Sequence, residues 1–323
     1  MVACLGMHAE DFRPARWLPG GHAQTIFPSL FSAPQPPGPG EARFVAVDPS
    51  SLVRVDVDRP AVTPRGTLLL LHGLSGCSRS SCVLRTADQA LARGWVCARM
   101  NLRGAGEILE LTRSLYNALQ SSDVGLVLDD LDRYGLPRPL VAVGFSLGGS
   151  IVLRYAGLAG AGGVADAFVA VNPPVDMEAS VQAFEQPVNA IYERYFVHRL
   201  CRQLERARRL FPVPGPPARP REIRHLRRFD HLYTAPAAGL ESAETYYAAG
   251  SAAPLLRDIG RPTLIVSAQN DPFIPIDMFF PQHREASPAV TFLHPRSGGH
   301  IGYWQRHRDR KSTRLNSSHR LRS

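Results

Sequence analysis

An α/β fold, with a mostly parallel central sheet covered by helices on both faces, is the class this sequence predicts. Two observations carry it. Short apolar runs that suit buried strands, such as Thr67-Leu68-Leu69-Leu70-Leu71 and Ala167-Phe168-Val169-Ala170-Val171, alternate with longer segments of helical pattern. Directly after one such run, Leu140-Val141-Ala142-Val143, stands Gly144-Phe145-Ser146-Leu147-Gly148. A serine between glycines at the end of a buried strand fits a sharp strand-to-helix turn, which needs small neighbours to let the hydroxyl stand clear of the backbone.

Taken in order, residues 1–34 form a lead-in segment with Trp17, Ile26, Phe27, Leu30 and Phe31 as apolar anchors. Pro34-Gln35-Pro36-Pro37-Gly38-Pro39-Gly40 is a linker, since prolines this dense can join neither a helix nor a ladder. Phe44–Val47 and Leu52–Val57 read as a hairpin, the second strand with period-2 alternation. Strand 67–71, a helix near 80–93, strand 95–100 and a loop from Asn101 to Gly106 follow. Then come a helix near 121–134, strand 140–144, a helix over 147–158 and strand 167–171. Pro262–Ala268 and Ala289–Leu293 are the last two strands.

Residues 176–258 interrupt this alternation. They are helical and Arg-rich, with a break at Phe211–Pro217. A helical insertion between the sixth and seventh strands predicts a lid over the site, and lids choose substrates. Ala183, Phe184, Ile191, Tyr192, Tyr195 and Phe196 fall largely on one helical face. Packing of the lid on its own body is the first reading of that stripe, and contact with an acyl chain the second.

Three residues sit in loops just past strands in the order Ser146, Asp271, His300, the last two ending Gln269-Asn270-Asp271-Pro272 and Ser297-Gly298-Gly299-His300. Ser, then Asp, then His is the α/β-hydrolase order, unlike that of chymotrypsin or subtilisin. A serine hydroxyl is a weak nucleophile and needs a base, which His300 supplies while Asp271 holds its tautomer. The loop His72-Gly73-Leu74-Ser75-Gly76 follows strand 67–71, so the Leu74 and Leu147 N–H groups are the expected oxyanion-hole donors. Rivals fit less well. Asp277 lies six residues past Asp271, and His294 and His307 lack the Gly-Gly that brings a loop to the centre. His72 reads as a structural hydrogen-bonding residue and Arg103 as a loop-anchoring cation.

With these motifs the chain resembles the YheT-like esterases of the α/β-hydrolase superfamily over most of residues 11–304. The resemblance rests on Trp17-Leu18-Pro19-Gly20-Gly21-His22-Ala23-Gln24-Thr25-Ile26, His72-Gly73-Leu74, Asn101-Leu102-Arg103-Gly104 and Gly144–Gly149. It rests too on the stretch from Asp230 through Gly239-Leu240, Tyr246-Tyr247, Ser251, Ile259 and Pro262 to Asn270-Asp271. It implies an α/β-hydrolase fold with a helical lid insertion, and Ser146, Asp271 and His300 as nucleophile, acid and base. The chain departs at Leu115-Tyr116-Asn117-Ala118-Leu119-Gln120, where relatives tend to carry a Tyr-His…Gly pattern before an Asp, which leaves that loop open.

Composition bounds the rest. The chain has 323 residues, 44% of them hydrophobic, enough for one large core, here assigned to residues 41–307. No apolar run reaches membrane-spanning length. The first eight residues lack a basic region and a long apolar stretch, so no signal peptide is expected. Five cysteines without framework spacing suit reduced thiols in the cytoplasm, and Cys77 and Cys82 find no second pair to complete a metal site. Neither metal nor cofactor is expected.

The net charge of +9 is local. Residues 201–228 hold nine Arg against two Glu, and residues 311–323 hold one Lys and three Arg, which leaves the remainder slightly acidic. The first patch reads as a solvated helix face, with peripheral membrane contact or an anionic substrate as the sharper reading. No aromatic residues interleave a basic motif, which argues against nucleic acid. Residues 308–323 read as a non-native tail: Lys311 is the only lysine beside 36 arginines, and Lys311–His319 has the look of translated adapter sequence. A helix that relatives place after the His loop is thus expected to be cut short.

The expected function is hydrolysis of a small-molecule carboxylic ester, of short- to medium-chain or acylglycerol type, through an acyl-enzyme. Two readings stay open: acyl transfer to an alcohol, which shares the acyl-enzyme, and a non-catalytic binding scaffold.

Overall fold

The computed structural model describes residues 12–30, 40–106, 109–216 and 222–305. Most of the proline-rich linker, the first eight residues and the 308–323 tail lie outside these. Helix α1 (Gly20–Leu30) leads into an eight-stranded sheet ordered β1-β2-β4-β3-β5-β6-β7-β8. Strands β1 (Glu41–Asp48) and β2 (Ser51–Asp58) form the expected hairpin, and β2 pairs antiparallel with β4 (Val96–Met100). From there β3 (Thr67–Leu71), β5 (Leu140–Phe145), β6 (Ala167–Val171), β7 (Thr263–Val266) and β8 (Val290–Leu293) extend the sheet in parallel. Buried parallel strands need no polar alternation, and β3, β4 and β5 accordingly read as near-continuous apolar runs.

The crossovers are helices whose buried side chains recur at helical spacing. In α2 (Ser81–Leu91) these are Val83, Leu84, Ala87 and Ala90; in α3 (Ser122–Arg133) they are Val124, Val127, Leu128 and Leu131. Helix α4 (Leu147–Ala159) is buried on most of its circumference, from Leu147 through Gly157. It is the central helix of the fold. One buried and one half-buried cation tie these segments together. Arg99 pairs with Asp58 at 2.6 Å across β4 and β2, and Arg103 bridges Asp123 and Asp48 as the anchoring reading expects.

Between β6 and β7 the chain forms α5 (Met177–Phe184), α6 (Ala190–Arg208), α7 (Leu226–Phe229), a π-helical turn (Asp230–Thr234), α8 (Ala235–Ala237) and α9 (Ala243–Gly250). Arg227 clamps this group, reaching Glu178 at 2.7 Å and Glu185 at 2.8 Å with its guanidinium over the Tyr247 ring. Helix α10 (Gln282–Glu285) precedes β8. On the far face of the sheet, Val171, Leu264, Val266 and Leu293 are only half-buried along a groove that also touches Trp304. Among the described residues no helix is long and apolar enough to cross a membrane.

Candidate active site

The strand register brings the candidate residues together. Leu71 lies opposite Gly144, Phe145 opposite Val171, and Val171 opposite Val266, so the loops after β3, β5, β6 and β7 leave the sheet side by side. At the end of β5 the chain turns into α4 within one residue. Ser146 sits at φ 51° and ψ −123°, a region that costs a non-glycine residue about 1–3 kcal/mol and persists only where packing enforces it. Its amide donates to the Val171 carbonyl at 2.9 Å, which ties the turn to β6. The two flanking glycines are required by space. A Cβ at Gly144 would lie 2.2 Å from the Gly148 carbonyl oxygen, and one at Gly148 would lie 2.3 Å from that of His72.

Asp271 and His300 form a pair, with His300 Nδ1 at 2.8 Å from Asp271 Oδ2. The carboxylate is fully buried and well supplied. Its Oδ1 accepts the Phe273 and Ile274 amides at 3.0 and 3.1 Å, and Oδ2 also accepts the Asn172 amide at 2.5 Å. A charge-assisted bond of Nδ1–H to this carboxylate leaves Nε2 as the acceptor of the ring. The Phe273 ring packs against the imidazole at 4.4 Å between centroids. Ser146 and His300 line one cavity together with Leu74 and Leu147. No hydrogen bond joins Ser146 Oγ to His300 among the described residues; such bonds are often long before substrate binds.

Leu74 and Leu147 line the same cavity as the serine. Leu147 is the first residue of α4, where an N–H has no acceptor within its helix. Neighbouring Gly73 is close enough that a Cβ there would be 3.0 Å from Ser146 Cβ. His72 holds this loop as expected: it pairs through Nδ1 with the Gly73 carbonyl at 2.8 Å and accepts the Leu102 amide on Nε2 at 3.2 Å. Burial pushes its imidazole down to about 4, so it stays neutral. Of the rivals, Asp277 is exposed, His294 pairs with His283 at 3.0 Å, and His307 lies outside the described residues.

Several residues of the site were missed by sequence reasoning. Asn172, fully buried with φ 48°, donates to Asp271 and to the Gly299 carbonyl, and accepts the Tyr303 hydroxyl at 2.7 Å. Its one signal was a polar residue directly after a buried strand. Helix α1 holds the histidine loop: Gln24 Oε1 accepts the Gly298 amide at 2.7 Å, and Thr25 Oγ1 accepts the His300 amide at 2.8 Å. Its His22 pairs with the Tyr192 hydroxyl at 3.0 Å, which joins α1 to α6. In the stretch that departs from relatives, Tyr116 accepts the Ser75 amide at 2.5 Å and Tyr246 accepts the Ala118 amide at 3.0 Å. That loop is well fixed.

The cavity's walls beyond the polar end are largely apolar and come mostly from residues 176–258. The predicted stripe divides there: Phe184 and Phe196 line the cavity, whereas Ile191 is 70% and Tyr195 55% exposed. Asp230, in the π-helical turn, also lines it; burial pushes its carboxyl up to about 6 although Thr234 and Tyr247 donate to it.

A sheet, turn and His–Asp pair of this kind define the class. The profile of the alpha/beta hydrolase fold matches residues 66–307, and the chain belongs to that family. Within it the chain belongs with the YheT-like proteins: it is 30% identical over 300 residues to the Escherichia coli (strain K12) protein named "Putative esterase YheT", covering 91% of this chain and 87% of that one. It is 26% identical to human phospholipase ABHD3, over 94% of this chain and 76% of the relative. Among solved structures, 2,6-dihydroxy-pseudo-oxynicotine hydrolase shares the fold with a TM-score of 0.55 at 19% identity, over 87% of this chain and 66% of that one.

Proposed function

We propose that this member of an esterase family hydrolyses carboxylic esters with short- to medium-chain acyl groups, through an acyl-enzyme on Ser146. One observation carries the reading: a serine held in a strained turn shares a cavity with a histidine whose far nitrogen is bonded to a buried carboxylate. His300 Nε2 takes the Ser146 proton as Oγ attacks the ester carbonyl, and returns it to the leaving alcohol. Asp271 orients the ring and stabilises the imidazolium. The Leu74 and Leu147 amides receive the oxyanion, each such donor being worth about 3 kcal/mol in other enzymes. Water, activated by the same histidine, then releases the acid.

The helices of 176–258 act as the lid of this reading, with Phe184 and Phe196 against the acyl chain. A cavity with largely apolar walls suits an acyl chain. The test is a chain-length series of p-nitrophenyl esters. Activity is expected to peak at short to medium length and to vanish in Ser146→Ala; equal activity in that variant would remove the proposal.

A further inference from the structure

The cavity that holds Ser146 and His300 is apolar along most of its wall, yet Tyr116, Asn117 and Tyr246 also line it, and the chemistry above uses none of their polar groups. Each is more than nine-tenths buried. Asn117 accepts the Leu119 amide on Oδ1 at 2.9 Å, and its Nδ2 donates to none of the described residues. Tyr246, in α9, accepts the Ala118 amide at 3.0 Å, and Tyr116 accepts the Ser75 amide at 2.5 Å. Neither hydroxyl has an acceptor for its own proton among the described residues. Burial raises the pKa of both phenols, so both keep that proton.

Two of these groups belong together. The bond from the Ala118 amide brings Tyr246 of the insertion against the turn that carries Asn117. Tyr116 is tied instead to Ser75, beside the expected oxyanion donor Leu74. A buried donor without an acceptor is costly, and Phe or Leu would line a purely alkyl cavity without that cost. An amide and a phenol so placed match the lone pairs of an oxygen on the substrate. Asp230 limits which oxygen. It lines the same cavity, with Thr234 donating to Oδ1 at 2.6 Å and Tyr247 to Oδ2 at 2.9 Å. A carboxylate in the wall disfavours an anionic group on the substrate.

We propose that Asn117 and Tyr246 form a subsite for a neutral oxygen, a keto or hydroxyl group, carried on the acyl chain of the ester. The inference rests on the serine-hydrolase reading and adds to it which acyl groups are preferred. Phe184 and Phe196 then hold the methylenes of the chain while the two donors hold its oxygen.

The test compares the p-nitrophenyl esters of 5-oxohexanoic, 7-oxooctanoic and 7-hydroxyoctanoic acids with those of hexanoic and octanoic acids, in the wild type, Tyr246→Phe and Asn117→Asp. Asn117→Asp keeps the acceptor for the Leu119 amide and removes the donor. In the wild type at least one oxygenated ester is expected to exceed its plain counterpart by about tenfold or more in kcat/KM, and that ratio to fall toward one in both variants. A ratio read within each protein separates lost recognition from a loosened loop, which would slow both esters alike. Where one variant does not fold, the other decides alone. The mono-p-nitrophenyl ester of adipic acid, which ends in a carboxylate, should be poorer than the hexanoate. No preference for any oxygenated chain overturns the proposal, as does a preference that survives either substitution. A preferred adipate ester overturns it in favour of an acid-binding subsite. If the wild type cleaves none of these esters nor p-nitrophenyl butyrate, the serine-hydrolase reading has failed. Calorimetric titration with the ethyl esters of the same acids then reads the subsite by itself: tighter binding of an oxygenated ester that both variants lose upholds it, and equal binding rejects it.

Discussion

At Ser146 a positive φ is maintained by contacts that leave no room for alternatives, with the His72 carbonyl against Gly148 and the Gly148 carbonyl against Gly144. Gly148→Ala should therefore cost about 1–3 kcal/mol or more by overpacking, read as a lower urea midpoint. In the proposed reaction Asn172 acts through Asp271, to which it is hydrogen-bonded. Asn172→Ala should lower kcat by roughly 10- to 100-fold with KM little changed, the range expected when a bond to a charged group is lost. A change confined to KM would place Asn172 in substrate binding instead. His72 gives a pH dependence of stability. Its folded pKa, about 4, lies below the unfolded value near 6.5, so between these the unfolded chain binds the extra proton. Stability is complete above about pH 6.5 and falls as pH drops toward 4, by about 3 kcal/mol at most. Urea unfolding between pH 7 and 4.5 should show this slope, and His72→Gln, which cannot titrate, should flatten it. Ser146, Asp271 and His300 were legible in the sequence because glycines and strand ends surround them. Asn172 and Tyr116 were not, because their partners are set by strand register and by loops that meet only in the fold.

Among the elements, most strands and crossover helices were legible to within a few residues, since burial imposes its own pattern on each. Strand 167–171 is the same in both readings. Helix α1 was visible only as a row of apolar anchors. Its task depends on polar side chains, Gln24 and Thr25, whose partners lie beyond residue 297, a separation no local pattern encodes. Thr25→Val keeps the shape of the side chain and removes its acceptor from the His300 amide. The variant is expected to lose about tenfold in kcat through a loosened histidine loop while melting within a few degrees of the wild type. Retained kcat would mean that the loop needs no support from α1. The insertion was legible as helical, but its division into cavity wall and exposed surface was not. Phe184 faces Phe273 at 4.7 Å, whereas Ile191, seven residues on, is open to solvent.

For the whole molecule, alternation of strands and helices foretold a parallel sheet, and the expected loss of a helix after the His loop agrees with the half-buried face at Val171, Val266 and Leu293. An amphipathic helix appended to cover that face is expected to raise Tm by ~2–4 °C for each kcal/mol of apolar burial gained. Cutting the chain at Arg310 should leave Tm within a few degrees of the intact protein; a loss as large as a core deletion would make the 308–323 segment part of the native fold. What unites the scales is that sheet register, the glycine turn and α1 converge on one serine. The direct measurement is reaction with a fluorophosphonate followed by peptide mapping. Such a probe forms a stable adduct with a serine activated by a histidine base. The adduct is expected on Ser146 alone, absent in Ser146→Ala and strongly reduced in His300→Ala. Labelling of another serine, or equal labelling without His300, would contradict the assignment of this cavity as a serine-hydrolase centre.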